Sequence, residues 1–211
     1  MGRGVPPDDG ASVGRAGAPD DWPGRALLQG ASPRAILAKL CDGDPLELGP
    51  RVFEHLQASA VLVDPNRACS RAAARVAYAA MRYRGAPELG VFLRRCIEQS
   101  VAELVEEEAE DEVASLLNDD APGAHLLFLW KLLGIEPGLA RRASIVFNQQ
   151  PIEVRRAFLA VAGGRMAIRE YSRQDGRPEE GVRELLSQAL RAMEAAIGKR
   201  GLSVEGWDDH G

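Results

Sequence analysis

A regular spacing of apolar residues near the C-terminus is the feature that most constrains the fold of this chain. Between residues 178 and 197, apolar side chains recur every three or four positions, as an amphipathic helix requires. They are Val182, Leu185, Leu186, Ala189, Leu190, Met193 and Ile197. Pro178 stands at a first-turn position, and Glu179 and Glu180 follow in the turn where acidic side chains are favoured. The spacing predicts a long, packed helix.

Two shorter helical patterns precede this helix in residues 151–177, and glycine-bearing turns separate the three. A short helix, a tight turn and a longer helix make up the helix-turn-helix unit of many DNA-binding proteins. The segment 151–200 is therefore predicted to be a helix-turn-helix domain. It carries ten Arg and Lys against seven Asp and Glu, so it is mildly basic, whereas the whole chain has a net charge of −5.

The rest of the chain also favours helices. Aromatic residues make up only 5% of the sequence, and the alternating β-branched pattern of strands is nearly absent. The expected fold class is all-α, with two small helical domains, the C-terminal one a helix-turn-helix. The composition and the breaks in the helical pattern divide the chain into five predicted segments. They are a disordered tail (1–31), an N-terminal helical domain (32–118), a linker with connecting helices (119–150), the helix-turn-helix domain (151–200) and a C-terminal tail (201–211).

Several classes of protein are disfavoured by what the sequence lacks. No apolar run approaches the roughly 18–20 residues of a membrane span, and the N-terminus lacks an apolar leader, so a cytoplasmic protein without membrane contact is expected. The three cysteines are far apart and are predicted to be buried thiols. The three histidines lie in no catalytic or metal-binding pattern, so we predict no enzyme, no cofactor and no metal.

Five short motifs occur in a characteristic order. They are a helix with an acidic turn (36–48), the turn Tyr83-Arg84-Gly85, the helix 91–104, a proline-led helix in 149–165, and the helix that contains residues 182–189. In this order the chain resembles the extracytoplasmic-function group of bacterial RNA polymerase sigma factors, over about residues 34–199.

The resemblance implies a transcription protein that binds RNA polymerase core and promoter DNA. It implies that the helix 66–83 is the polymerase surface, with candidate partner-binding residues Arg67, Arg71, Arg75, Tyr78 and Arg82. No cofactor is implied.

The arginines of residues 151–200 are the candidates for DNA contact. Four of them, Arg165, Arg169, Arg173 and Arg177, are expected to touch phosphates, and Arg183 to reach a base edge. The resemblance adds Arg155, Arg156, Ser187 and Gln188 to this set. The alternative for these arginines is a solvated helix surface of mixed charge.

The chain departs from the sigma pattern in its charges. The end of the helix that recognises promoter DNA in the family is basic, whereas residues 103–112 are an acidic run here. An acidic surface repels the nucleic-acid backbone. The second hypothesis is therefore a diverged sigma-fold paralogue that has lost promoter binding and acts as a protein-interaction or regulatory module. Its partner-binding surfaces would be the acidic run and the apolar segment 125–134.

Overall fold

The computed structural model describes residues 27–110, 124–164 and 166–198, and the regular structure in these ranges is helical, without strands. The prediction of an all-α chain is confirmed. The predicted break at 118–123, most of the two predicted tails, and Arg165 lie outside the described residues.

Between residues 33 and 110 the chain forms four α-helices and a short 3₁₀ turn. They are α1 (Pro33–Cys41), α2 (Leu48–Ser59), α3 (Pro65–Ala79), the 3₁₀ turn (Ala80–Arg82) and α4 (Leu89–Glu110). Ser32 followed by Pro33 predicts the start of a helix. The structure confirms it for α1, since the Ser32 hydroxyl accepts a hydrogen bond from the Ala35 N–H (3.3 Å) and Pro33 occupies the first turn. Asp64 caps α3 in the same way, through the Asn66 N–H (2.8 Å).

Two helix ends differ from the sequence prediction. Pro45 and the apolar pattern after it predict a second helix that begins at Pro45. Instead α2 begins at Leu48, because the Asp44 carboxylate accepts hydrogen bonds from the N–H groups of Leu48 and Gly49, both at 2.7 Å. The third helix was expected to reach residue 83, but its α-helical part ends at Ala79 and the chain tightens into the 3₁₀ turn.

The described residues from 124 to 198 form five further α-helices. They are α5 (Ala124–Leu133), α6 (Pro137–Asn148), α7 (Ile152–Phe158), α8 (Ile168–Asp175) and α9 (Glu179–Ile197). A π-helical segment, Leu159–Gly163, extends α7. Pro178 is the N-cap of α9, one position before the first turn in which it was predicted.

Two hydrophobic clusters organise these helices. The first is built from α1–α4, with fully buried Ile36, Val52 and Leu93. The second is built from α5–α9, and Phe147, Phe158 and Leu186 are fully buried in it. The segment 119–150, predicted to be a linker with connecting helices, thus contributes α5 and α6 to the second cluster. Whether the two clusters are separate domains stays a prediction.

The cysteines follow the prediction only in part. Cys96 is buried in the first cluster, where burial raises the pKa of its thiol. Cys69 is half-buried, whereas Cys41 is exposed at the end of α1, contrary to the prediction of a buried thiol. Position 41 falls outside the apolar face of α1, which consists of Ile36 and Leu40.

Candidate nucleic-acid and partner interfaces

Two of the predicted DNA-binding arginines lie between the two halves of the chain. The Arg156 guanidinium donates to the Ala58 carbonyl from Nε (3.1 Å) and Nη2 (2.7 Å), and Arg155 Nη1 donates to the Ala60 carbonyl (3.4 Å). These carbonyls lie at the C-terminal end of α2, where the helix dipole favours a positive charge. Burial lowers the pKa of Arg155, and Arg156 beside it adds to that effect. Both side chains therefore make contacts within the protein.

Asn148, at the end of α6, makes a buried polar contact between the halves. Its side-chain oxygen accepts from the Leu62 N–H (2.8 Å), and its side-chain nitrogen donates to the Leu62 carbonyl (3.0 Å). We call Asn148, Arg155 and Arg156 the inter-half joint. Asn148 could not be predicted as a functional residue, because an asparagine that ends a helix is common and nothing in the sequence points to Leu62.

Two other predicted DNA-binding arginines, Arg169 and Arg173, lie one turn apart on the exposed face of α8. Ile168 anchors the opposite face of the helix in the second cluster. Within the described part of the chain, no hydrogen bond or ion pair involves either guanidinium. The pair therefore forms two positive charges on α8 that no side chain among the described residues pairs with.

A three-residue turn, 176–178, joins α8 to α9. Gly176 adopts a left-handed conformation with φ 77°, which a residue without a Cβ adopts at little cost. Arg177 is fixed in this turn, because its Nε lies 2.8 Å from the Asp175 carboxylate and its carbonyl accepts from the Ser172 hydroxyl (2.6 Å). The predicted phosphate contact at Arg177 would have to compete with Asp175.

The outward side of α9 carries charges of both signs. Arg183 lies 3.8 Å from Glu179, and Arg191 forms an ion pair with Glu184. Ser187 and Gln188 are half-buried beside this outward side, while the apolar residues predicted from the spacing face the second cluster. This surface offers hydrogen-bonding groups without a net positive charge.

Three of the predicted partner-binding arginines face the acidic run across the α3–α4 interface. Arg71 binds Glu107 through two hydrogen bonds (2.5 and 2.7 Å), and Arg75 binds Glu103 and Ser100. Arg67 lies 3.6 Å from Glu108. The hydrogen bond from Arg71 lowers the pKa of Glu107, which keeps that carboxylate ionised. The ion pairs of Arg71 with Glu107 and of Arg75 with Glu103 therefore contribute to holding α3 against α4.

The remaining partner candidates are exposed. The side chain of Tyr78 is 67% exposed, and Met81, one turn further on, is 51% exposed. Arg82 follows them at the surface. An aromatic, a flexible apolar side chain and an arginine are the residue types enriched where proteins bind one another. We call Tyr78, Met81 and Arg82 the α3 surface.

Glu108 is the buried member of the acidic run, with a side chain that is only 8% exposed. Burial raises its pKa, although Arg67 and Arg141 oppose the rise. The raised pKa means that the Glu108 carboxyl holds its proton more tightly in the folded protein than in the unfolded chain. Ionisation of Glu108 therefore lowers the free energy of unfolding as the pH rises through the raised pKa. Glu108→Gln is therefore expected to raise the free energy of unfolding at pH 7, and the gain should vanish below about pH 4, where the carboxyl is protonated in the folded and the unfolded chain alike.

Urea denaturation at both pH values measures this effect. Glu106→Gln is the matched control, since Glu106 is exposed on the same helix. A Glu108→Gln protein that is less stable than the parent at pH 7 would show that the ion pair with Arg67 outweighs the cost of burial.

No family model, no curated protein and no solved structure matches this chain. Within the described ranges, no helix is both long and apolar enough to cross a membrane. The same residues hold no group of three or more His, Cys, Asp or Glu that could bind a metal ion.

Proposed function

We propose that this chain is a sigma-factor-like transcription protein that binds RNA polymerase core and docks on promoter DNA through α8 and α9. The observation that carries the proposal is the pair Arg169 and Arg173, two exposed guanidiniums without partners in the described residues. Lys and Arg contacts to phosphates supply most of the affinity of a protein for DNA. The order of the sigma-like motifs along the sequence supports the same assignment.

The arrangement of α8, the turn and α9 suits contact between these arginines and DNA. α8 ends at Asp175, the turn occupies three residues, and α9 runs for 19 residues from Glu179. In a helix-turn-helix protein, the second helix reads base edges while neighbouring side chains hold the phosphates. We assign phosphate binding to Arg169 and Arg173, and base contact to Ser187 and Gln188.

The α3 surface is the proposed contact with polymerase core. The arginines earlier on α3 bind Glu103 and Glu107 on α4, so they hold the helix in place instead of meeting the partner. Tyr78 and Met81 then form the apolar centre of the contact, and Arg82 forms its rim.

The double variant Arg169→Glu/Arg173→Glu is expected to weaken DNA binding at least about tenfold and to lower the slope of log affinity against log salt by about two. Fluorescence anisotropy with a labelled duplex of about 30 base pairs measures both quantities. Arg34→Glu/Lys39→Glu is the matched control, because it changes the net charge equally at exposed positions of α1. Unchanged affinity in the α8 variant would refute the proposed phosphate contact.

Tyr78→Asp is expected to reduce the recovery of RNA polymerase core with the tagged protein about tenfold or more, because it places a charge in the apolar centre of the interface. Co-purification of the tagged protein from its native cells, followed by detection of the core subunits, measures this recovery. Phe53→Asp is the control, since Phe53 is an aromatic of similar exposure, 55%, on α2. Equal recovery with both variants would remove the α3 surface from the proposal.

A second candidate function is a protein-interaction module that no longer binds promoters. It is favoured by the contacts that Arg155, Arg156, Arg177 and Arg191 make within the chain, and by the exposed Glu180 and Glu184 on α9. Added salt separates the two functions, because DNA binding weakens steeply with counterion release and an apolar protein interface does not. A reproducible partner other than polymerase, retained at high salt, would favour this module.

A further inference from the structure

A groove between α2 and the start of α4 has the composition of a small-ligand site. Its volume is about 310 Å³, and it is lined by residues one turn apart on each helix: Arg51, Glu54, His55 and Ala58 from α2, and Gly90, Arg94 and Ile97 from α4. This volume falls at the lower end of the range of small-molecule sites. Neither the DNA surface of α8 and α9 nor the α3 surface includes any of these residues.

The rim of the groove is basic. The Arg51 guanidinium is held in place by a hydrogen bond from its Nε to the Leu46 carbonyl (3.1 Å). Arg94 is exposed on the opposite wall, and within the described residues no ion pair or hydrogen bond involves its side chain. His55 adds a ring nitrogen that can donate a hydrogen bond, and Glu54 is the one acidic group among the lining residues that the structure describes.

The floor of the groove is apolar. Ile97 is only 2% exposed and belongs to the first hydrophobic cluster. Gly90 leaves one wall open, because a Cβ added there would meet no atom within 4 Å. A basic rim over an apolar floor suits a ligand with an anionic head and a flat apolar body.

We propose that this groove binds a free phosphate ester of mononucleotide size. Arg51 and Arg94, on opposite walls, clamp the phosphate, since a guanidinium presents paired N–H donors that match phosphate oxygens. His55 donates a further hydrogen bond, and the base lies over Ile97 and Ala58. Glu54 repels the phosphate and limits the affinity. This inference does not depend on the proposed role in transcription.

Titration of the full-length protein with AMP, by calorimetry, tests the proposal. We expect saturable binding with a Kd below about 1 mM, and weaker binding of inorganic phosphate, which lacks the apolar body. Arg94→Glu should weaken AMP binding at least about tenfold, and Glu54→Gln should strengthen it about threefold. Arg95→Glu is the matched control, because Arg95 is also exposed on α4 but does not line the groove.

Gly90→Leu supplies a variant that is independent of charge. Its side chain enters open space in the groove, so the fold should be retained, as circular dichroism would show, while AMP binding is lost. Three results would each overturn the proposal: no saturable binding of AMP, equal binding by the Arg94→Glu and Arg95→Glu proteins, or undiminished binding by a folded Gly90→Leu protein. A dT oligonucleotide that binds in the groove while AMP does not would also overturn it, since the ligand would then be a polymer.

Discussion

Replacing Phe147 with alanine is expected to lower the free energy of unfolding by about 3–5 kcal/mol. The ring is fully buried in the second cluster and packs against Phe158, with ring centroids 5.3 Å apart at 54°. Truncation removes the transfer free energy of the ring and leaves a cavity between α6 and α7, which their neighbours fill only in part. Urea denaturation of the parent and variant proteins measures the loss.

Phe53→Ala provides the same chemical change at an exposed position of α2 and should alter stability by less than about 0.5 kcal/mol. The double variant Phe147→Ala/Phe158→Ala should lose less than the sum of the two single losses, because the rings contact one another. A loss at Phe147 as small as that at Phe53 would show that the ring is not enclosed by α6 and α7.

Replacing Asn148 with alanine is expected to lower the free energy of unfolding by about 2–4 kcal/mol, which is more than the size of the asparagine side chain suggests. The Leu62 N–H and carbonyl are both bound by the Asn148 side chain, and the contact is buried. Alanine leaves these two backbone groups away from water without their partner, and each carries a desolvation penalty. Because the contact joins residues 86 apart, unfolding of the two halves should also become less cooperative.

Denaturation followed by two probes, circular dichroism and tryptophan fluorescence, checks both effects. The control is Gln149→Ala at the next, exposed position, which should be close to neutral. A coincident transition with unchanged midpoint in the Asn148→Ala protein would show that water replaces the side chain at Leu62 without loss of stability.

The helices and most of their ends could be predicted because their causes are local. The apolar spacing of residues 182–193 identifies the buried face of α9, and every one of those predicted apolar positions is buried. Ser32 with Pro33 marks the start of α1, through a cap formed within three residues. Where a cap comes from an unexpected side chain, as with Asp44 at α2, the predicted start is wrong by three residues.

The partners of the charged residues could not be predicted, because they come from distant parts of the chain. The acidic run suggests a solvated or partner-binding surface when only its own helix is considered, yet Glu107 lies against Arg71, 36 positions earlier. Arg155 and Arg156 look like DNA-binding residues in a basic segment, but they reach carbonyls 95 and 98 positions away. Sequence spacing shows the face of a helix and does not show what that face meets.

The sequence by itself determined the all-α class and the buried faces of the helices, because helical periodicity and capping act over a few residues. Only the tertiary structure decided which charges remain available for a partner. Packing α3 on α4 and docking α7 on α2 bring opposite charges and helix ends together. Arg169, Arg173 and Arg94 are left without partners in the described residues, and these are the positions where the proposed ligands bind.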